Sequence, residues 1–239
     1  MQRKYIGVTA LIAAAALYVG PAAAQTITGT VVYEGKAPVM RPIDMNADPV
    51  CVKKHTTPVL GEMLLMGPGN TMGNILVSVT KGLPAGKTYP APKEPVVMNQ
   101  EGCQYKPHVM AIMVGQPFKI LNSDGLMHNV HALPKVNTPF NAAMPPTMTE
   151  KTETFAKEEG TFMIKCDVHP WMQAYMKVLS HPFYAVTKAD GKFSLSGLPA
   201  GTYEVEAWHE RLGTQTQSVT IAGTETKAIS FKFTAPAAK

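Results

Sequence analysis

The stretch Cys166-Asp167-Val168-His169-Pro170-Trp171-Met172 sets a thiol, an imidazole and a thioether on one short run at C-x2-H-x2-M spacing. Thiolate and thioether are soft donors and imidazole is borderline, a mixture suited to a metal that passes between Cu(I) and Cu(II). Two imidazoles and a thiolate in a trigonal set, with a weak axial thioether, is the geometry of one-electron copper sites. Such a set needs a second histidine from elsewhere. His128 is the best candidate, because it follows the turn-like Asn122-Ser123-Asp124-Gly125 and opens an alternating run. The expected ligands of a single copper are therefore His128, Cys166, His169 and Met172, with Met176 a rival thioether. Taken one at a time, each residue has a plainer reading as a core thiol, a surface or turn histidine, or a gap-filling methionine. Their joint spacing favours the metal.

The ligands must be delivered by strands. In 161–166, Phe162, Ile164 and Cys166 share one face and Met163 and Lys165 the other, which puts Cys166 at a strand end on the core side. His128 and Val130 share a face; His131 points the other way and is read as a non-ligand. Prolines and glycines (20 and 19) separate short alternating segments, and no long amphipathic helix is evident, so the chain reads as all-β. Strands are expected over 28–33, 75–80, 108–114, 117–122, 129–133, 152–156, 161–166 and 175–179. Residues 80–94 and 134–146 read as loops.

Residues 1–24 do not belong to that fold. Arg3 and Lys4 precede an apolar run over 6–19, and Ala22-Ala23-Ala24 makes an A-x-A pattern before Gln25. This reads as a secretory signal peptide, the run being short of the ~20 residues that span a bilayer. The expected location is periplasmic, with no membrane span after signal removal. Losing Arg3 and Lys4 takes the formal charge from +5 to +3, a mild excess without the clustered basic stripe of a nucleic-acid binder. In an oxidising compartment the three cysteines need an explanation. The economical one is a Cys51–Cys103 disulfide, worth about 4 kcal/mol in the loop-entropy model, with Cys166 kept free by a metal. The alternative is three buried, inert thiols.

From about 107 to 179 the sequence resembles the cupredoxin family of type 1 blue copper proteins. The C-x-x-H-P-aromatic-M loop and the His128-Asn129-Val130-His131 run are similar to those of amicyanin. In plastocyanin and pseudoazurin the axial methionine falls five residues after the histidine, a position held here by Ala174. The resemblance implies a Greek-key sandwich with copper at one end, Asn129 tying the two ligand loops together, and a docking surface of Pro170 and Trp171 around a solvent-facing edge of His169. It also implies a one-electron carrier between periplasmic redox proteins. Further on, Asp190-Gly191-Lys192-Phe193-Ser194-Leu195, followed by Leu198-Pro199-Ala200-Gly201-Thr202-Tyr203, resembles the transthyretin-like module of carboxypeptidase regulatory domains. The expected division is a copper domain with an N-terminal extension over 25–180 and a small transthyretin-like β module over 181–234, completed by a strand at 26–36. Paired H-x-H motifs of a multicopper oxidase are absent and no nucleophile–base motif is evident, so the chain is not read as an enzyme. Two other readings stay open. A copper chaperone or storage protein would use Met63, Met66, Met72, Met144 and Met148; a non-redox binding module would use the last segment.

Overall fold

Short alternating segments bounded by proline and glycine satisfy their backbone groups by pairing with one another. The computed structural model, which describes residues 25–223 and 225–235, accordingly contains sixteen strands among the described residues. The signal-peptide reading falls on residues outside the described ones. Strand β1 (Gln25–Glu34) is followed by a long irregular segment holding one short helix, α1 (Pro49–Lys53), and then by β2 (Leu76–Lys81). Nine strands come next: β3 (Val96–Gln100), β4 (Tyr105–Lys106), β5 (Val109–Met113), β6 (Phe118–Asn122), β7 (His128–Ala132), β8 (Phe140–Met144), β9 (Glu150–Glu153), β10 (Glu159–Lys165) and β11 (Gln173–Leu179). The last five are β12 (Tyr184–Val186), β13 (Lys192–Leu198), β14 (Gly201–His209), β15 (Gly213–Ile221) and β16 (Thr226–Thr234).

These make two sandwiches. In the first, a five-stranded sheet (β5-β11-β10-β7-β8) and a four-stranded sheet (β4-β3-β6-β9) share a core that includes Met98, Ile112, Phe118, Val130, Phe155 and Ile164. In the second, sheets β13-β1-β16 and β12-β2-β14-β15 enclose Ile27, Val31, Val77, Val205, Phe231 and Phe233. β1 lies antiparallel to β13 and parallel to β16. From β2 the chain crosses to the first sandwich, builds it from β3 to β11, and returns at β12. Leu76, Val109, Ala111 and Leu179 are buried between the two sandwiches. There the buried Lys177 on β11 donates to Ser78 Oγ (3.0 Å) and Glu206 Oε1 (2.7 Å).

Residues 134–146 are not simply a loop. Phe140–Met144 pairs with β7 as β8 and turns Ala142 and Met144 inward. Pro139, Pro145 and Pro146 bracket this strand closely and hide its alternation. β3 and β4 were also not expected. β3 and β4 form a hairpin closed by Glu101–Gln104, but β4 is only two residues long and shows no alternation to read.

Candidate metal centre

β10 turns Phe162 and Ile164 into the core and ends at Lys165, so the next residue on that face, Cys166, arrives at the end of the sandwich. The loop after it is closed by two backbone bonds. The Cys166 amide donates to Met172 O (3.0 Å) and the Met172 amide to His169 O (2.9 Å). β7, which opens with His128, lies between β8 and β10 and pairs with both. The nitrogen and sulfur donors of His128, Cys166 and His169 consequently lie within 4.8 Å of one another, and all three residues are buried. The two Nδ1 atoms are 2.9 Å apart, and Cys166 Sγ is 3.9 Å from His169 Nδ1.

The far side of each ring decides what the near side offers. His128 Nε2 is 3.0 Å from Asp124 Oδ2, and His169 Nε2 is 3.0 Å from Asp48 Oδ2. A carboxylate only accepts, so each Nε2 carries a proton and each Nδ1 turns toward the other ring. Two ring nitrogens and a sulfur that converge in this way repel unless a proton or a cation is shared between them. The donor set fits copper: borderline imidazole with soft thiolate, backed by carboxylates that make the imidazoles better donors. Met172 is buried against the same loop. Met176 is farther along β11, opposite Phe162, whereas Gln173, next to Met172, is opposite Lys165.

Electrostatics favour a thiolate here. Burial would raise the Cys166 thiol, but hydrogen bonds from His128 and from the amides of Asn129, His169 and Val168 bring it down to about 6. Burial would lower His128, but Asp124 and Cys166 raise it to about 9. Asp124 is also desolvated, yet His128, the Cys103 and Gly102 amides and Lys54 hold it well below the usual carboxylate range. The hydrogen bond with His169 does the same for Asp48, helped by the Val50 amide.

Asn129 joins the two ligand segments. Its Oδ1 accepts from the Asp167 amide (2.7 Å), the Val168 amide (3.4 Å) and the Cys166 thiol (3.3 Å). Its Nδ2 donates to Asn141 Oδ1 and Asp167 Oδ2, and Tyr105 donates its hydroxyl proton to Asn129 O. His131 faces outward and meets Asp167 at 2.9 Å, away from the cluster. Met72 and Met144 are fully buried, one in each core, where they serve packing.

The edge of His169 does not face solvent, contrary to expectation. The residue is only 3% exposed. Its Nε2 side is covered by Asp48, the N-cap of α1, whose Oδ1 accepts from the Val50 and Cys51 amides. Pro170 is exposed. Trp171 is half-buried, with its ring 5.1 Å from that of His169 and its Nε1 donating to Cys103 O (3.1 Å). Cys51 and Cys103 are joined by a disulfide and Cys166 is free. Asp48, Asp124 and Asn141 complete the constellation and were not expected from the sequence. Asp124 stands four residues before His128 and could have been suspected; Asp48 lies 121 residues from His169 and carries no local signal.

A family model for the carboxypeptidase regulatory-like domain matches residues 176–234. No curated protein matches. Among solved structures, the copper-containing nitrite reductase NirK from Thermus scotoductus is 22% identical at a TM-score of 0.34, over 43% of this chain and 26% of that one. The chain thus spans about a quarter of that protein's length. An oxidised single-site variant of amicyanin is 19% identical at a TM-score of 0.33, over 43% of this chain and 98% of that one. A purple cupredoxin from Nitrosopumilus maritimus is 25% identical at a TM-score of 0.27, over 32% of this chain and 82% of that one.

Proposed function

We propose that this chain holds one copper through His128, Cys166, His169 and Met172 and carries single electrons between redox proteins of the periplasm, without changing any bond. The observation behind this reading is the convergence of two imidazole Nδ1 atoms and a buried, acidified thiol, with each imidazole fixed from behind by a carboxylate. Copper in such a set supplies a Cu(II)/Cu(I) couple. The protein's own part is to keep the donors still and dry. Asn129 clamps the Cys166 loop to β7, and Asp48 and Asp124 fix the two rings. A carrier benefits from that rigidity, because little has to rearrange between its two charge states. A partner would dock at Pro170 and Trp171, with the exposed apolar side chains of Val168 and Met127, each next to a proposed ligand in sequence, as further apolar surface.

Copper titration of the exported protein, followed by its visible spectrum, tests this. One equivalent of Cu(II) should give an intense thiolate-to-copper band. Cys166→Ser should abolish the band while the far-ultraviolet circular dichroism stays that of the parent. A colourless copper-loaded protein, or colour that survives Cys166→Ser, rejects the assignment.

A further inference from the structure

We propose that Asp48, carried on the disulfide-stapled α1, is a positioning residue of the copper centre: it fixes the ring of His169 and closes the site on that side. The inference rests on the copper reading above and adds to it a segment outside the motif.

The geometry is built from both ends. Asp48 uses one carboxylate oxygen to cap α1, accepting from the Val50 and Cys51 amides, and the other to accept from His169 Nε2 at 3.0 Å. It therefore cannot swing away without also uncapping the helix. α1 in turn cannot drift, because Cys51, fully buried, is bonded to Cys103. Cys103 sits in the turn that holds the other imidazole. The Gly102 and Cys103 amides donate to Asp124 at 2.7 and 2.8 Å, and Asp124 accepts from His128 Nε2. Both residues have left-handed backbone, with φ of 65° and 52°, and successive amides in such a turn form an anion-binding concavity. For Cys103, which has a Cβ, that conformation is unfavourable and needs tertiary support. Further bonds brace the same joint. Lys54 Nζ reaches Asp124 Oδ1 at 3.1 Å, His55 Nε2 meets Gly102 O at 2.8 Å, and Trp171 Nε1 donates to Cys103 O. The partners of both imidazoles thus hang on one covalent cross-link, and the segment holding them lies over the edge of His169.

The partly exposed carboxylate favours the more highly charged metal, and its hydrogen bond keeps Nδ1 of His169 turned toward the donor cluster. Three variants separate positioning from folding. Asp48→Ser keeps an N-cap but is too short to reach His169. Asp48→Asn keeps the cap through its single oxygen but removes the charge and turns an NH2 donor toward His169. Asp48→Ala removes everything. The measurements are the reduction potential of the copper-loaded protein and the Nε2–H signal of His169 by NMR in the diamagnetic Cu(I) form. The parent should show a slowly exchanging Nε2–H. Asp48→Ser and Asp48→Ala should lose it and shift the Cu(II)/Cu(I) preference at least tenfold toward Cu(I), which is about 59 mV upward for one electron. Asp48→Asn, with a donor where the acceptor stood, should also lose the protected proton signal and shift the preference in the same direction while keeping the cap. If the parent is blue and Asp48→Ser leaves potential and Nε2–H unchanged, the positioning role is wrong and the copper reading stands. If the parent itself takes up no copper or shows no colour, the copper reading fails and this inference fails with it.

Discussion

At the scale of single residues, reach along β11 favours Met172 over Met176 as the sulfur of the proposed donor set. Gln173 opposes Lys165 and Met176 opposes Phe162, so Met176 stands three residues beyond Gln173, about 10 Å at strand rise. Met172, by contrast, is tied by its own amide and carbonyl to His169 and Cys166. Met172→Leu is close to volume-conserving and should cost less than about 1.5 kcal/mol. It removes a weak axial donor that favours Cu(II), so the reduction potential should rise while copper stays bound. Met176→Leu should leave the potential unchanged. Voltammetry of the two variants decides it, and a shift in Met176→Leu alone would exchange the two roles. The same scale explains what could be read in the sequence. Cys166, His169 and Met172 share one short loop, so their chemistry is local and legible. The proton on each Nε2 is set by Asp48 and Asp124, and only folding brings Asp48 to His169.

At the scale of elements, the strands feeding the site were legible because they alternate. In β10, Phe162 and Ile164 are buried while Met163 and Lys165 are half-exposed; the period of two placed Cys166 on the core side. In β7, the same period turned His131 to Asp167 and left His128 within. β8 is hidden in the sequence because prolines crowd both its ends, although Met144 opposes His128 directly. α1 is hidden because five residues give no helical period to read; only Asp48 before Pro49 hints at an N-cap followed by proline at N1. The ligand end of the sandwich depends on the packing beneath it. Ile164 is fully buried, pairs with Ala174 on β11 and Ala132 on β7, and lies two residues from Cys166. Ile164→Ala should destabilise the protein by about 2–5 kcal/mol. It should also broaden the copper band, because the strand carrying the thiolate loses its support. Chemical denaturation and the visible spectrum measure the two effects, and a loss of stability with an unchanged spectrum would place the rigidity of the site in the loop bonds alone.

For the whole molecule, the question is how the second sandwich bears on the first. Its β14–β15 turn presents Glu210, whose carboxylate lies 2.6 Å from His108 Nε2, both side chains almost wholly buried. His108 Nδ1 is 3.0 Å from Gln173 O, the residue after Met172. The second sandwich therefore reaches the ligand loop through two side chains, beside the Lys177–Glu206 contact. The groups around His108 are Tyr175, whose ring meets it edge-on, Glu62, and His209 next to Glu210. Burial alone would lower the pKa of His108, but the hydrogen bond and charge of Glu210 outweigh it and raise the value above the ordinary one. A histidine with a raised folded-state pKa adds stability in full below its unfolded value, near 6.5, and loses it as pH climbs through the raised value. Glu210→Gln removes the charge and keeps the shape. Near pH 6 the variant should be less stable than the parent by roughly 2 kcal/mol, the size of a charge-assisted bond. The gap should narrow steadily toward alkaline pH, where His108 is neutral in both proteins. Thermal unfolding of parent and variant across that range gives the comparison. A gap that stays constant from pH 6 to alkaline conditions would mean that His108 binds Glu210 without its extra proton, and that the joint between the sandwiches is an ordinary hydrogen bond rather than an ion pair.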